Sequence, residues 1–443
     1  MGSGGPPTPH LNLMIKERLR NLPAEAATDS DSLDGMTPFC IIRPTEVAEI
    51  QEAVRLAVEE KRGIIIRGAG THMNLGRPPE SAEIVLDMSR FDKVLEYDAV
   101  NMRLTCQAGV TLGAIDQMLK SHGQMLPLDP PLKERRTAGG LIATNMNGPR
   151  RLGYGPIRDN VTGIRAVTGR GDFIRFGTKV VKDVAGYNVA KLFIGSLGTL
   201  GVITEAIFKL YAIPEEERGL IGFFKDGEGT AQAARQLLAS PLMPKALEVM
   251  EGEALSLLSL SLDRYWAIIV LFDGLLEEVE RQVRQAREIF MRAGAQETHA
   301  LRGEENGRLW QGIRDLSRAE AYEENRVVIR AATLISHSSS MVERLKGMAE
   351  RAGVRGVAWA HAGSGIAYLM ASSPSPGGRA ALMRLVREVQ GMGGTVLESA
   401  PLEIRREVCP WGNPPTSLGL MRRIKRAFDP AGILNPGRFV GGI

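Results

Sequence analysis

The sequence predicts an α+β fold divided into more than one domain, and three observations carry that prediction. At 443 residues the chain exceeds what one hydrophobic core organises. Short β-branched strands and amphipathic helices are mixed without the regular strand-helix alternation of a doubly wound sheet. Glycine-rich turns recur at three places in the N-terminal half, two of them beside apolar strands.

Composition narrows the possibilities further. Hydrophobic residues at 44% and charged residues at 24% describe an ordinary soluble globular chain, and no apolar run reaches bilayer-spanning length. A formal net charge of +4, with no Lys/Arg run interleaved with aromatics, gives no nucleic-acid groove. Cys40, Cys106 and Cys409 stand far apart and form no C-x-x-C, so neither a disulfide framework nor an iron-sulfur or zinc site is written here, and a reducing cytoplasm fits. The Gly- and Pro-rich opening from Met1 to His10 stands outside the fold argument.

The elements follow in order. Thr45 reads as an N-cap, and Val47, Ile50, Val54 and Ala57 recur at helical spacing until Gly63. Ile64-Ile65-Ile66 is a buried strand that runs directly into Arg67-Gly68-Ala69-Gly70-Thr71. Strands at Ile84 to Leu86 and Arg103 to Gln107 and a helix from Thr111 to Ser121 come next. Pro214 and Glu215-Glu216-Glu217 look like a linker and divide the chain.

Beyond them, strands are expected near Leu220 to Phe224, Tyr265 to Phe272, Arg326 to Leu334, Gly356 to His361 and Ile366 to Met370. Helices are expected from about Leu275 to Arg292, Met341 to Ala352 and Ala380 to Met392, which suggests a sheet with helices on one face. Ser417 to Phe428 reads as a last helix, stopped by Asp429-Pro430. The organisation is an N-terminal extension over 1–36, domains over 37–213 and 214–416, and a tail over 417–443.

The three glycine segments point to a bound pyrophosphate. Two negative charges are held at least cost by backbone N–H groups, and glycine lets the backbone come close. The segments are Arg67 to His72, Thr137-Ala138-Gly139-Gly140-Leu141-Ile142-Ala143-Thr144-Asn145, and Gly195-Ser196-Leu197-Gly198-Thr199-Leu200-Gly201-Val202. In the second, Gly139-Gly140 could open a helix with free N–H groups. Each alone is as readily a tight turn; their conjunction carries the argument.

The stretch Val181-Lys182-Asp183-Val184-Ala185-Gly186-Tyr187-Asn188, continuing through Leu192 to Gly201, resembles the FAD-linked oxidases typified by vanillyl-alcohol oxidase and p-cresol methylhydroxylase. Within them it is similar to the flavin subunits of bacterial glycolate oxidase and to D-lactate dehydrogenases. The resemblance implies a two-subdomain FAD-binding domain, then an α+β cap with an antiparallel sheet, and a helical tail that returns to the flavin. It implies FAD contacts at Arg67, Gly68, Ala69, Gly70, Thr71, Pro130, Gly139, Gly140, Thr144, Asn145, Gly198, Thr199, Gly201 and Val202. Asn435, in Asn435-Pro436-Gly437-Arg438, is a candidate ring contact. Relatives that attach flavin through a histidine place it where this chain has Thr71, one position before His72, so non-covalent FAD is expected.

Oxidising a 2-hydroxy acid needs a base for the hydroxyl proton and a cation for the carboxylate. The resembling enzymes supply these with H-x-G-D-G-N-x-H and G-E-H-G, which bind a metal. Here His361-Ala362-Gly363-Ser364-Gly365-Ile366-Ala367-Tyr368 and Leu397-Glu398-Ser399 replace them, keeping His361 and Glu398 as weak catalytic candidates and no metal site. That pattern resembles the E-type subunit of bacterial glycolate oxidase, which implies a catalytic flavin subunit and an iron-sulfur subunit as partners and peripheral membrane association through them. A stand-alone dehydrogenase using Arg314, Arg330, Tyr322 or His337, and a non-catalytic assembly subunit, are the alternatives.

Overall fold

The computed structural model describes residues 22–177, 188–260, 266–319, 325–375 and 377–443. Residues 181–187 of the motif stretch, and Tyr322, lie outside them.

The first sheet has the strand order Ala24–Ala26, Cys40–Ile42, Ile84–Asp87, Ile64–Arg67. The two pairings among Cys40–Ile42, Ile84–Asp87 and Ile64–Arg67, both parallel, follow from apolar runs that tolerate burial on both faces. Helix Val47–Glu59 covers it with Ile50, Ala53, Val54, Leu56 and Ala57, all buried. Fully buried aliphatic side chains of this size each contribute about 1.5–3 kcal/mol. The helix begins after Glu46 rather than after Thr45. The Glu49 carboxylate accepts from the Thr45 and Glu46 N–H groups at 2.7 and 3.1 Å, which satisfies both and moves the cap one residue on.

The second sheet, antiparallel throughout, runs Val94–Asp98, Arg103–Gln107, Gly201–Lys209, Val161–Thr168, Phe173–Gly177. Helix Leu112–Lys120, capped by the Thr111 hydroxyl accepting from Ala114 N–H, and the short helix Ala138–Thr144 pack against it through Leu119, Leu141 and Ile142. Segment three therefore enters the central strand of this sheet, while segment one leaves the edge of the first. The two sheets bring the glycine segments face to face.

The C-terminal part is one eight-stranded antiparallel sheet in the order Glu297–Arg302, Glu216–Phe224, Trp266–Gly274, Ala246–Met250, Arg355–His361, Ile366–Ser372, Val327–Ala332, Thr395–Ser399. Helices Gly227–Leu238, Leu276–Arg292, Ser338–Arg351 and Gly378–Gln390 cover one face. Helices stand on the other face as well: Gly252–Leu257 and Gly303–Asp315 pack there with Leu255, Leu309, Trp310 and Ile313. This corrects the expectation of a single helical layer. Polar Glu304, Glu305 and Arg308 had masked the apolar stripe. The expected linker also differs, because Glu216 and Glu217 already belong to the first strand, where Glu217 pairs with Arg150 at 2.5 Å.

The tail forms helix Leu418–Phe428, whose Phe428 ring meets Phe193 edge-on at 5.5 Å. Asp429 then turns the chain by accepting from Ile433 and Leu434 N–H at 3.2 and 2.9 Å. Leu434 bridges to Ile64 in parallel, which delivers Asn435 to the gap between the two sheets.

Candidate active site

Segment one leaves strand Ile64–Arg67 as an open turn. No backbone N–H from Gly68 to Thr71 has a hydrogen-bond acceptor among the described residues. These four residues line a cleft together with Ile66, His72, Met73, Arg136, Thr137, Gly140, Ala143, Thr144, Leu197, Asn435 and Arg438. The cleft continues past Met88, Ala108, Gly139, Gly198, Gly201 and Ile203. A cleft walled by glycine-rich backbone and by the buried Arg136 and Arg438, with N–H groups left without acceptors in one of its turns, fits an anionic dinucleotide.

Segment two contributes shape rather than free donors. Gly139 N–H donates to Ala108 O at 2.8 Å, and Gly140 N–H to the Thr137 hydroxyl at 3.2 Å, so the expected free N–H groups there are already taken. Thr137 is the helix N-cap and captures the donor that sequence reasoning had left for an anion. The glycines are needed for closeness: a Cβ on Gly139 would stand 2.7 Å from the Ala108 Cβ. In segment three Gly198 has φ +72°, and a Cβ there would reach 2.8 Å from Asn435 Nδ2.

Asn435 closes the cleft by clasping both sides. Its Oδ1 accepts from Ile66 N–H at 3.2 Å, and its Nδ2 donates to Leu197 O at 2.6 Å. Buried Lys425 supports the clasp from behind, donating to Thr199 O at 2.9 Å, Leu434 O at 3.1 Å and Asp429 at 2.6 Å.

Most residues singled out from sequence meet at this cleft: Gly68, Ala69, Gly70, Thr71, Gly139, Gly140, Thr144, Gly198, Gly201 and Asn435. Asn145 lines the neighbouring cavity. Four residues do not form its walls. Arg67 pairs with Asp87 at 2.9 Å; Val202 sits in the first-sheet core and Thr199 is buried, its hydroxyl donating to Ser196 O; Pro130 is buried.

A second cavity adjoins the cleft at the seam with the eight-stranded sheet, lined by Asn145, Arg151, Arg330, Tyr368, Glu398 and Trp411 among others. Arg330 Nε lies 2.9 Å from Glu398 Oε1, an ion pair by distance whose angle does not make a hydrogen bond, so Arg330 Nε has no hydrogen-bond partner among the described residues. Burial and the facing Arg330 hold the Arg151 guanidinium below its usual range against the opposing charge of Asp159, and among the described residues no carboxylate forms an ion pair with it. Burial and the Glu398 carboxylate push the Tyr368 phenol far up, so it stays a protonated donor.

His361 is committed elsewhere. Its Nδ1 lies 2.8 Å from both oxygens of Glu248, a carboxylate with no exposed surface. Burial raises the Glu248 pKa; burial would lower that of His361, but the Glu248 carboxylate overrides it and raises it. The pair therefore keeps a proton to higher pH than either free group. Among the described residues, no cluster of three or more His, Cys, Asp and Glu is arranged for a metal ion. Arg314 is occupied by Asp315 at 2.8 Å, and His337 is exposed at the end of the 3-10 turn Ile335–His337, where it leads into helix Ser338–Arg351.

Sequence reasoning missed three arginines. Besides Arg151, Arg136 and Arg318 converge on His72, and Arg136 is 1% exposed beside segment two. Only Arg136 carried a local signal, a charge abutting the apolar Ala138–Thr144 segment. A larger cleft of about 610 Å³ opens around Asp116, Lys133, Arg150 and Trp310, but its charges are internally paired, as in Lys133 with Asp116 at 2.6 Å. It has no glycine cradle.

Known proteins carry the same architecture. A family described as FAD binding domain matches residues 38–177, and one described as FAD linked oxidases, C-terminal domain, matches residues 213–439. Glycolate oxidase subunit GlcD of Bacillus subtilis is 29% identical over 416 residues, 90% of this chain and 88% of its own. Glycolate oxidase subunit GlcE of Escherichia coli is 39% identical over 170 residues, 38% of this chain and 48% of its own. The likeness to an E-type subunit is thus local, whereas the D-type likeness runs nearly the whole length. Among solved structures, p-cresol methylhydroxylase with substrate bound shares the fold with a TM-score of 0.78 at 16% identity, covering 98% of this chain and 97% of that one.

Proposed function

The chain belongs to the FAD-linked oxidases, and from that premise we propose that it is the non-covalent FAD-binding subunit of an assembly oxidising a 2-hydroxy acid such as glycolate or D-lactate. The observation that carries this reading is the contrast between a backbone-built cofactor cleft and a cap whose candidate base residues face charged partners. The orphan N–H groups of Gly68 to Thr71 would hold the pyrophosphate. Gly139, Gly198 and Gly201 would let the cofactor lie against backbone, and Asn435 would meet the ring.

FAD, when bound, supplies a hydride acceptor. Thr144, Asn145 and Leu197, which line both the cleft and the adjoining cavity or link them, would orient the ring toward the cap. Tyr368 donates a hydrogen bond to an anion in that cavity and Arg151 offers an unpaired cation. Proton removal from a substrate hydroxyl would fall to Glu398 or His361, and each is engaged, by Arg330 and by Glu248 respectively. Substrate oxidation then depends on a catalytic flavin subunit, with an iron-sulfur subunit taking electrons onward, in the cytoplasm or at its membrane face. Among the described residues no helix is long and apolar enough to cross a membrane.

The test is the absorption spectrum of the chain purified alone, followed by anaerobic glycolate or D-lactate. A yellow protein that bleaches only when the partner subunits are added is the expected result. Bleaching of the isolated chain would establish the second reading, a stand-alone dehydrogenase, which the free Arg151 and protonated Tyr368 favour. A colourless chain that takes up no FAD would leave only an assembly role.

A further inference from the structure

His72, Arg136 and Arg318 meet at the seam between the FAD-binding domain and the cap in an arrangement that cannot satisfy itself. Arg136 Nη2 stands 2.7 Å from His72 Nδ1, while Arg318 Nη2 stands 2.6 Å from Nε2 and 3.1 Å from Nδ1. A neutral imidazole has one lone pair to offer and a protonated one has none, so at least one guanidinium faces an N–H. No carboxylate hydrogen-bonds to either arginine among the described residues; Arg136 otherwise donates only to Pro131 O and the Thr144 hydroxyl. Arg318 Nε is buried without any partner.

Two buried guanidiniums with no carboxylate hydrogen-bonded to either are costly, and a buried unpaired donor adds to that cost. We propose that Arg136, His72 and Arg318 form a carboxylate-binding site, at the seam where the cap meets the cofactor cleft, that holds a small 2-hydroxy or 2-oxo acid by its anionic end. A carboxylate supplies two in-plane acceptors, which match the forks of two arginines and remove the donor surplus. Burial depresses both guanidiniums, to about 9 for Arg136, where the Arg318 charge adds to it, and to about 10 for Arg318, where the Arg326 charge adds to it, and an anion between them would relieve both.

His72 and Arg136 also line the cofactor cleft beside segment one, and two observations favour a carboxylate over the cofactor's phosphates. The N–H groups of Gly68 to Thr71 have no acceptor and are available to the phosphates. Arg318 reaches the cluster from the cap, and the charge of Glu398, which lines the adjoining cap cavity, acts on both arginines. The choice of a hydroxy or oxo acid rests on the proposed function; the surplus of donors does not. The chain would therefore hold the anion even where it lacks a free base to oxidise it.

Oxalate is the probe, titrated by calorimetry into the FAD-loaded full-length chain after its flavin content is recorded. Saturable binding is expected, weakened at least tenfold in Arg318→Gln, partly restored in Arg318→Lys, with flavin content unchanged in both. Three outcomes overturn the site: no binding to the wild type, equal binding to Arg318→Gln, or loss of FAD in Arg318→Gln with oxalate affinity retained, which would hand the cluster to the phosphates. None depends on turnover. A chain that fails to bleach in any assembly but binds oxalate as described would sink the proposed function and leave this site standing.

Discussion

The cofactor cleft and the cap cavity touch, yet they are made of different material. The cleft is made of backbone: an open turn from Gly68 to Thr71, glycines pressed against Ala108 and Asn435, and one asparagine clasping Ile66 to Leu197. The cavity and the layer beneath it are made of long charged side chains from distant elements, Arg330 with Glu398 and His361 with Glu248. Backbone geometry holds a ligand by shape and tolerates little added volume. Buried ion pairs hold themselves, and removing one member is costlier than never having had the pair.

The largest effect expected from this contrast is on the cap. Glu248→Ala removes a carboxylate of no exposed surface and strands His361. Breaking a buried pair costs about 3–5 kcal/mol, so the urea midpoint should fall sharply. Flavin release should follow global unfolding rather than precede it. A loss below about 1 kcal/mol would show that the pair does not hold the cap, and that His361 is free for another role.

A smaller effect on stability, but a larger one on the cofactor, is expected from Gly139→Ala. The new methyl must displace the Ala108 side chain and nearby backbone, at about 1–3 kcal/mol of overpacking, and FAD affinity measured by fluorescence should drop at least tenfold. Arg330→Gln, in the side-chain-built region, should leave that affinity within twofold. Equal effects of the two variants would erase the distinction between the regions.

That distinction also explains what could be read in advance. Glycine is a sequence feature whose structural meaning is local, so the three segments, their strands and most cleft residues were legible. Arg67 misled because the motif places its backbone at the turn, while its side chain answers to Asp87, twenty residues on and in a neighbouring strand. Gly140 misled because Thr137 caps the helix and consumes its N–H. Arg318 gave no signal at all, since its partners His72 and Arg136 lie in another domain. Glu248 gave a faint one, a lone carboxylate inside the buried strand Ala246–Met250.

The finest difference between the regions is in how they respond to pH. The unfolded chain's histidines titrate near 6.5, and the folded values of His361 and His72 depart from it in opposite directions. Against the opposing effect of burial, the Glu248 carboxylate raises His361, so its stabilisation is complete below 6.5 and is lost as pH rises through the folded value. Glu248, raised by burial above its usual 4.5, contributes with the same sign. At the seam, burial and then Arg136 and Arg318 lower His72 well below 6.5, so its contribution is complete above 6.5 and is lost as pH falls toward the folded value. Each pKa unit is worth about 1.4 kcal/mol. The melting temperature should therefore peak near neutrality, and Glu248→Gln should flatten the alkaline limb while sparing the acid one. If the alkaline limb keeps its slope in that variant, the proton shared by His361 and Glu248 is not what the cap loses as pH rises.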